Sequence, residues 1–203
     1  CDFNPSTTLY YENEDFGLNE KEFVTLYDNL PKDRRARFMK ATKSNSRTEL
    51  ECLSRDEDSS VREAVATNPN TPPDILSKLE MDKDILVIRS LAKNNNTPVD
   101  TLEYLTTLED KTVWRNIASN PSSTSHILKE LSEKNDLILN REIAKNIKTP
   151  LYILFYIYSK NNDQILRETV IQNPNFPPEA LKIQESYNDF DNNNELVKFP
   201  NNT

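Results

Sequence analysis

Five sets of residues recur in step along this chain, and no other feature limits its fold so tightly. Asp58, Asp84, Asp110, Asp136 and Asp163 lie at intervals of 26, 26, 26 and 27 residues. The same step relates Val61, Val87, Val113, Leu139 and Leu166, and likewise Ala66, Ala92, Ala118, Ala144 and Ile171. It also relates Asn68, Asn94, Asn120, Asn146 and Asn173, then Leu76, Leu102, Leu128, Leu154 and Leu181. A period between about 20 and 50 residues defines a solenoid or array. One such unit is a single supersecondary element that cannot bury its own apolar stripe and must stack on its neighbours.

The first unit, Val61 to Leu76, reads VREAVATNPNTPPDIL and predicts two short helices. Asp58 has the chemistry of an N-cap, and Val61, Val65 and Ala66 follow at helical spacing. Asn68 stands where a helix ends, and the reading assigns it the left-handed conformation that Gly usually supplies. On that reading Asn120→Gly is tolerated and a β-branched residue there is not. Thr71 is read as the cap of the second helix, with Pro72 in its first turn, where a missing N–H costs nothing. Ile75, Leu76 and Leu79 form the buried stripe. The first helix spans about two turns, which leaves α and 3₁₀ geometry both open. Leu50 and Leu53 match Leu76 and Leu79 one period earlier, so a degenerate unit precedes the five regular ones.

These residues, V-R-E-A-V-A-x-N-P-N-T-P-P-x-x-L, resemble the variant leucine-rich repeat. The resemblance runs from about residue 48 to about residue 184 and weakens in the third unit, where Ser123-Thr124 replaces Thr-Pro. It implies an all-α, right-handed α-solenoid of about five two-helix repeats, α/α or α/3₁₀, with N-terminal capping helices. It also implies a binding or scaffold role and no shared chemistry. The expected organisation is a flexible acidic arm over residues 1–17, a helical cap over 18–47, the array over 48–185 and an Asn-rich tail over 186–203.

Composition narrows the function classes. The 203 residues carry a formal charge of −8, which disfavours general nucleic-acid binding through long-range repulsion of phosphate. A mean hydropathy of −0.75 fits a thin, elongated core. Gly17 is the only glycine, so no Gly-rich phosphate loop exists and Asn, Asp and Pro must serve the turns. Two cysteines, Cys1 and Cys52, cannot build a disulfide framework or a four-thiolate metal site. No run approaches the roughly 20 apolar residues of a membrane span. Cys1 followed by the polar stretch Asp2 to Thr8 matches the start of a mature bacterial lipoprotein, anchored outside the cytoplasm by lipidation at Cys1. An arbitrary chain boundary, with a cytoplasmic location, is the other reading, so the compartment stays open.

Four features carry functional expectations. The second helix of the fourth unit, TPLYILFYIYSK, places Tyr152, Phe155, Tyr156 and Tyr158 in columns that hold Asp74, Ser77, Lys78 and Glu80 in the first unit. Exposed aromatics of this kind mark a partner or self-association site, and packing under the C-terminal tail is the alternative. Tyr152, Phe155 and Tyr156 are expected on one face, with Tyr158 to the side. Arg89, Arg115 and Arg141 form a row that fits either a binder of carboxylates or phosphates or an internal ladder onto the repeated Asp. The run Pro31 to Arg47 is basic and could meet nucleic acid or anionic lipid, or else form the solvated face of a capping helix over buried Phe38 and Met39. Catalysis has almost no foothold: His126 is the single His and falls in a polar, exposed column, and Cys52 shares its column with Lys78 and Tyr104. No catalytic residue, metal ligand or cofactor is therefore assigned. The expectation is a non-catalytic protein-binding or scaffold solenoid; a nucleic-acid-binding or DNA-base-acting helical-repeat protein using the basic 31–47 segment is the alternative.

Overall fold

The structure is a computed structural model that describes residues 32–177, together with Lys21, Thr25 and Glu179. The acidic arm and the tail lie outside the described residues, as does most of the first half of the 18–47 segment. Among the described residues there are eleven α-helices and no strands. In chain order they are α1 (Arg34–Lys43), α2 (Arg47–Leu53), α3 (Ser59–Thr67), α4 (Pro73–Lys78), α5 (Ile85–Lys93), α6 (Val99–Thr106), α7 (Lys111–Ser119), α8 (Ser125–Ser132), α9 (Leu137–Lys145), α10 (Leu151–Lys160) and α11 (Gln164–Ile171). Both helices of every complete unit are α-helical.

Units 1 to 5 begin at the five aspartates. Their first helices, α3, α5, α7, α9 and α11, stack in direct succession. Helix α1 stacks on α3 in the same manner, so α1 and α2 act as a sixth unit ahead of unit 1. The second helices α6, α8 and α10 form the other layer. Between the layers runs one continuous core. Val61, Val87, Val113, Leu139 and Leu166 are fully enclosed, as are Leu76, Leu102, Leu128 and Leu154. Leu50 and Leu53 of the preceding unit join the same core.

Each first helix starts with a side-chain cap. The carboxylates of Asp58, Asp84, Asp110, Asp136 and Asp163 accept backbone N–H groups one turn in, and Asp33 does the same for α1. The second helices start otherwise than expected. Pro72, Pro98 and Pro150 are the N-caps, without a side-chain bond, and Thr71 turns inward instead. Unit 3, which lacks that proline, uses a hydroxyl cap, with Thr124 Oγ1 accepting from Ile127 N–H at 3.3 Å, as Ser46 does for α2.

Candidate functional site: an asparagine spine and an aromatic helix

The recurrent Asn does not adopt the left-handed conformation. Asn68, Asn94, Asn120 and Asn146 are extended, with φ between −66° and −72°, and among the described residues Asn135 is the sole non-glycine at positive φ, at 54°. The side chain removes the need for a left-handed turn. Asn120 Oδ1 accepts the N–H of Ser122 at 2.8 Å. Its Nδ2 donates to the carbonyls of Ala92 and Asn94 in the previous unit, both at 2.9 Å. Asn68, Asn94, Asn146 and Asn173 repeat the arrangement, each buried. The result is a spine of amides that stitches each unit to the one before.

The rest of the Asn-Pro-Asn-Thr punctuation completes the accounting. Asn68 O accepts the N–H of Thr71 at 3.1 Å, closing a β-turn with Pro69 at its second position, where a fixed φ is favoured. Thr71 Oγ1 donates to Val65 O at 2.6 Å, and Thr97, Ser123 and Thr149 repeat that bond at the same length. A helix leaves its last carbonyls unpaired. In unit 1, Ala64 and Val65 receive Asn68 N–H, Val65 also receives Thr71, and Ala66 and Asn68 receive the amide of Asn94. Asn therefore ends the helix by hydrogen bonding, which Gly cannot do.

The arginine row is internally paired. Arg89 reaches Asp110 at 2.7 Å, Arg115 reaches Asp136 at 3.6 Å and Arg141 reaches Asp163 at 2.9 Å, each in the next unit. The hydrogen bond from Arg89 holds the Asp110 carboxyl below the ordinary range, and that from Arg141 does so for Asp163. At Asp136 the Leu139 N–H is the leading cause. Toward the N-terminus the pairing shifts register. Arg62 binds Asp82 at 2.6 Å and Arg37 binds Asp56 at 2.6 Å, and all four side chains are nearly enclosed.

The four aromatics of α10 divide in pairs. Tyr152 is 56 % exposed and Tyr156 37 %. Phe155 and Tyr158 are half-buried and pack against the core, so Phe155 does not share the open face fully with the two tyrosines. Tyr158 is engaged further: the Phe176 ring lies 5.8 Å away, and the Arg167 guanidinium sits 5.0 Å over its own ring. Phe176 occupies the column of Thr71, so unit 5 replaces a hydroxyl bond within the unit by an aromatic contact to unit 4. Ile147, in the column of Pro69, is 72 % exposed, and Leu151 is 41 % exposed. Sequence reasoning missed both; the break in the Asn-Pro pattern at Asn146-Ile147 was the signal for Ile147.

The basic run is largely committed within the chain. Arg37 is buried against Asp56, Lys40 meets Glu49 at 2.9 Å, Arg47 meets Asp74 at 2.6 Å and Arg34 lies 3.7 Å from Asp58. Phe38 and Met39 are exposed, contrary to expectation, because α1 turns Arg37 and Ala41 to the core instead. Cys52 is buried, unlike Tyr104 in the same column, and burial pushes its thiol up. His126 is exposed, 3.9 Å from Glu103. Among the described residues no group of His, Cys, Asp or Glu could hold a metal ion, and no helix is long and apolar enough to cross a membrane.

A family model, the leucine rich repeat variant, matches residues 60–84, the first unit and the start of the second. No curated protein and no solved structure matches the chain. The matched stretch holds Asn68, Pro69, Thr71 and the two caps Pro72 and Asp84. The resemblance read from the sequence thus falls on the residues that build the spine.

Proposed function

We propose that this chain is a non-catalytic, protein-binding solenoid that captures its partner with the second helix of unit 4. The observation that carries this reading is the exposure of Tyr152 and Tyr156 on α10, flanked by Ile147 and Leu151. The equivalent positions of Tyr152 in units 1 to 3 are Asp74, Asp100 and His126. An array that keeps its core columns while one helix turns apolar outward has surface variation its stacking does not require. Tyr is also suited to such a role, since it offers a large rigid face and a polar tip at low entropic cost. Nucleic-acid binding through residues 31–47 is less favoured, because acidic side chains of the chain itself occupy four of that segment's cations.

The test is a display selection of peptides on the folded chain, followed by binding to a Tyr152→Asp, Tyr156→Lys variant. Both replacements restore unit 1's own residues. Selected peptides should lose at least about tenfold in affinity, equivalent to roughly 1.4 kcal/mol, while the circular dichroism spectrum stays unchanged. Peptides that bind both proteins equally would remove α10 as the site.

A further inference from the structure

The second-helix layer changes character along the array, and the change points to the partner's chemistry. Helices α6 and α8 carry Asp100, Glu103 and Glu130, and Glu133 caps the end of α8. Asp100 is exposed, and the side chains of Glu103, Glu130 and Glu133 are 44 %, 39 % and 58 % accessible. The cations among them are engaged. Lys129 faces Glu133 at 3.8 Å, and Lys134 sits 4.8 Å over the Trp114 ring and 3.9 Å from Glu130. Helix α10 then carries no acid at all, and its one cation, Lys160, lies in the last turn.

Two of the α10 tyrosines extend rows that begin on these acidic helices. Tyr104, Glu130 and Tyr156 occupy one column on α6, α8 and α10, which pack in succession. Neighbours in such a row stand about 8–10 Å apart, the usual interaxial distance of packed helices. Tyr104 and Tyr156 are each 37 % exposed. Between them, Glu130 Oε1 lies 2.8 Å from the Thr106 hydroxyl, whose one proton Glu103 O shares at 2.7 Å, and 3.9 Å from Lys134, with 39 % of the Glu130 side chain still in solvent. A carboxylate flanked by two tyrosine rings matches a guanidinium, which can pair with the carboxylate and lie against an aromatic face at once.

We infer that the partner is a basic peptide segment with an apolar anchor, its anchor on Tyr152 and Tyr156 of α10 and an arginine seated at Glu130 between Tyr104 and Tyr156. This inference rests on the reading of α10 as the capture site and adds the sign of the partner's charge. Complementary charge across α6 and α8 fixes the direction in which the segment lies: apolar end on unit 4, cationic end toward unit 2.

The test uses two labelled amphipathic peptides with the same Leu and Trp residues, one carrying Arg at every polar position and the other Glu. Fluorescence anisotropy should show the Arg peptide binding and the Glu peptide binding at least about tenfold more weakly. Glu130→Gln should weaken the Arg peptide by about tenfold. Glu168→Gln, which changes net charge equally on a first helix, should change it by less than about twofold, as expected of a distant surface charge. Equal effects of the two substitutions would show attraction to net charge alone and overturn the inference. Absence of Arg-peptide binding overturns it as well. If the Glu peptide binds as well as the Arg peptide and both are lost on Tyr152→Asp, the α10 site stands and the basic partner falls. Sedimentation showing concentration-dependent dimers that dissociate on Tyr156→Lys would assign the surface to a second copy and overturn it too.

Discussion

The two halves of the array join their units with the same chemistry used differently. In the N-terminal half, Arg37 and Arg62 each grip an aspartate two residues ahead of the N-cap, and Arg62 and Asp82 are only 8 % and 6 % exposed. Arg62 also donates to the carbonyls of Asp56 and Glu57, so most of its donors are used. In the C-terminal half, Arg89, Arg115 and Arg141 sit one place later and pair with the N-cap aspartate itself, leaving 35 %, 31 % and 27 % of each arginine side chain in solvent. Arg115 Nε and Arg141 Nε find no partner, and neither does the buried Oδ1 of Asn140, which stands in Arg62's column. A shift of one helical position therefore converts an enclosed, fully paired bridge into a half-open one. The N-terminal junctions act as a firm base, and the half-open junctions belong to the units that carry the aromatic surface.

Arg62→Ala should produce the largest loss of stability. It strands the Asp82 carboxylate in a nearly closed site, and breaking a buried pair costs about 3–5 kcal/mol. Arg141→Ala, at a pair about 30 % exposed, should cost roughly 0–1 kcal/mol. Urea unfolding of the two variants measures the contrast. Equal losses would abolish the distinction between the halves.

The asparagine spine should resist the same division. Asn94→Ala and Asn120→Ala each leave one buried carbonyl, Ala66 O or Ala92 O, and one N–H bare, at about 1–3 kcal/mol per group, and take one of two donors from a second carbonyl. Both should cost about 3 kcal/mol, Asn94 at the junction of units 1 and 2 and Asn120 at that of units 2 and 3. Asn120→Gly should be no milder than Asn120→Ala, because φ at this position is −72° and a glycine gains nothing there. A Gly variant within 1 kcal/mol of the parent would return the position to a purely conformational role.

That reversal shows what the sequence could and could not convey. The periodic columns disclosed the helices, their order and most of the core, because burial of Val61 or Leu76 and their equivalents follows from spacing alone. The role of Asn68 did not follow. A helix-ending Asn has the same local signature whether its backbone turns left-handed or its amide bridges to the previous unit, and only the stacked neighbour distinguishes the two. The arginine register was hidden for the same reason. Arg62 and Arg89 differ by one place within the unit, and which aspartate each meets depends on how the units dock. At α10 the sequence marked four aromatics, but the division between Tyr152 and Tyr156 outside and Phe155 and Tyr158 half inside needed the position of α11 and Phe176.

Acid should separate the halves by a smaller margin. The Asp58, Asp84, Asp110, Asp136 and Asp163 carboxyls all lie below the ordinary value when folded. A depressed folded value means that the unfolded chain takes up protons first as pH falls. The stabilisation is therefore complete above about 3.9, the ordinary Asp value, and drains away as pH drops through the lowered folded values. For Asp58 the leading cause is the Ser60 hydroxyl, so protonation there weakens a cap. For Asp110 and Asp163 it is the arginine of the preceding unit, so protonation weakens a cap and a junction together. Between about pH 4 and pH 3, amide exchange should rise first in α7 and α11, the helices those two aspartates cap, and last in α3. Uniform loss along the array would contradict the assignment.

The smallest expected effect tests the aromatic helix against itself. Tyr158 and Tyr156 are two residues apart on α10, so they point in different directions. Tyr158 lies under Arg167 and beside Phe176, a contact that ties unit 4 to unit 5 from the column where the other units close their own first helix with a threonine or serine hydroxyl. Tyr158→Ser removes the ring pair and the cation–π contact, each worth about 0.5–1.5 kcal/mol, and should lower stability by about 1–2 kcal/mol. Tyr156→Lys takes an exposed ring to the residue found at Lys78, and surface changes of this kind stay within about 0.5 kcal/mol. Binding should respond in the opposite order: Tyr156→Lys weakens the captured peptide and Tyr158→Ser leaves it within about twofold, or roughly 0.4 kcal/mol. If both substitutions destabilised the fold equally, the open tyrosines would be part of the core. The C-terminal half would then differ from the N-terminal half in its packing alone, with no separate surface for a partner.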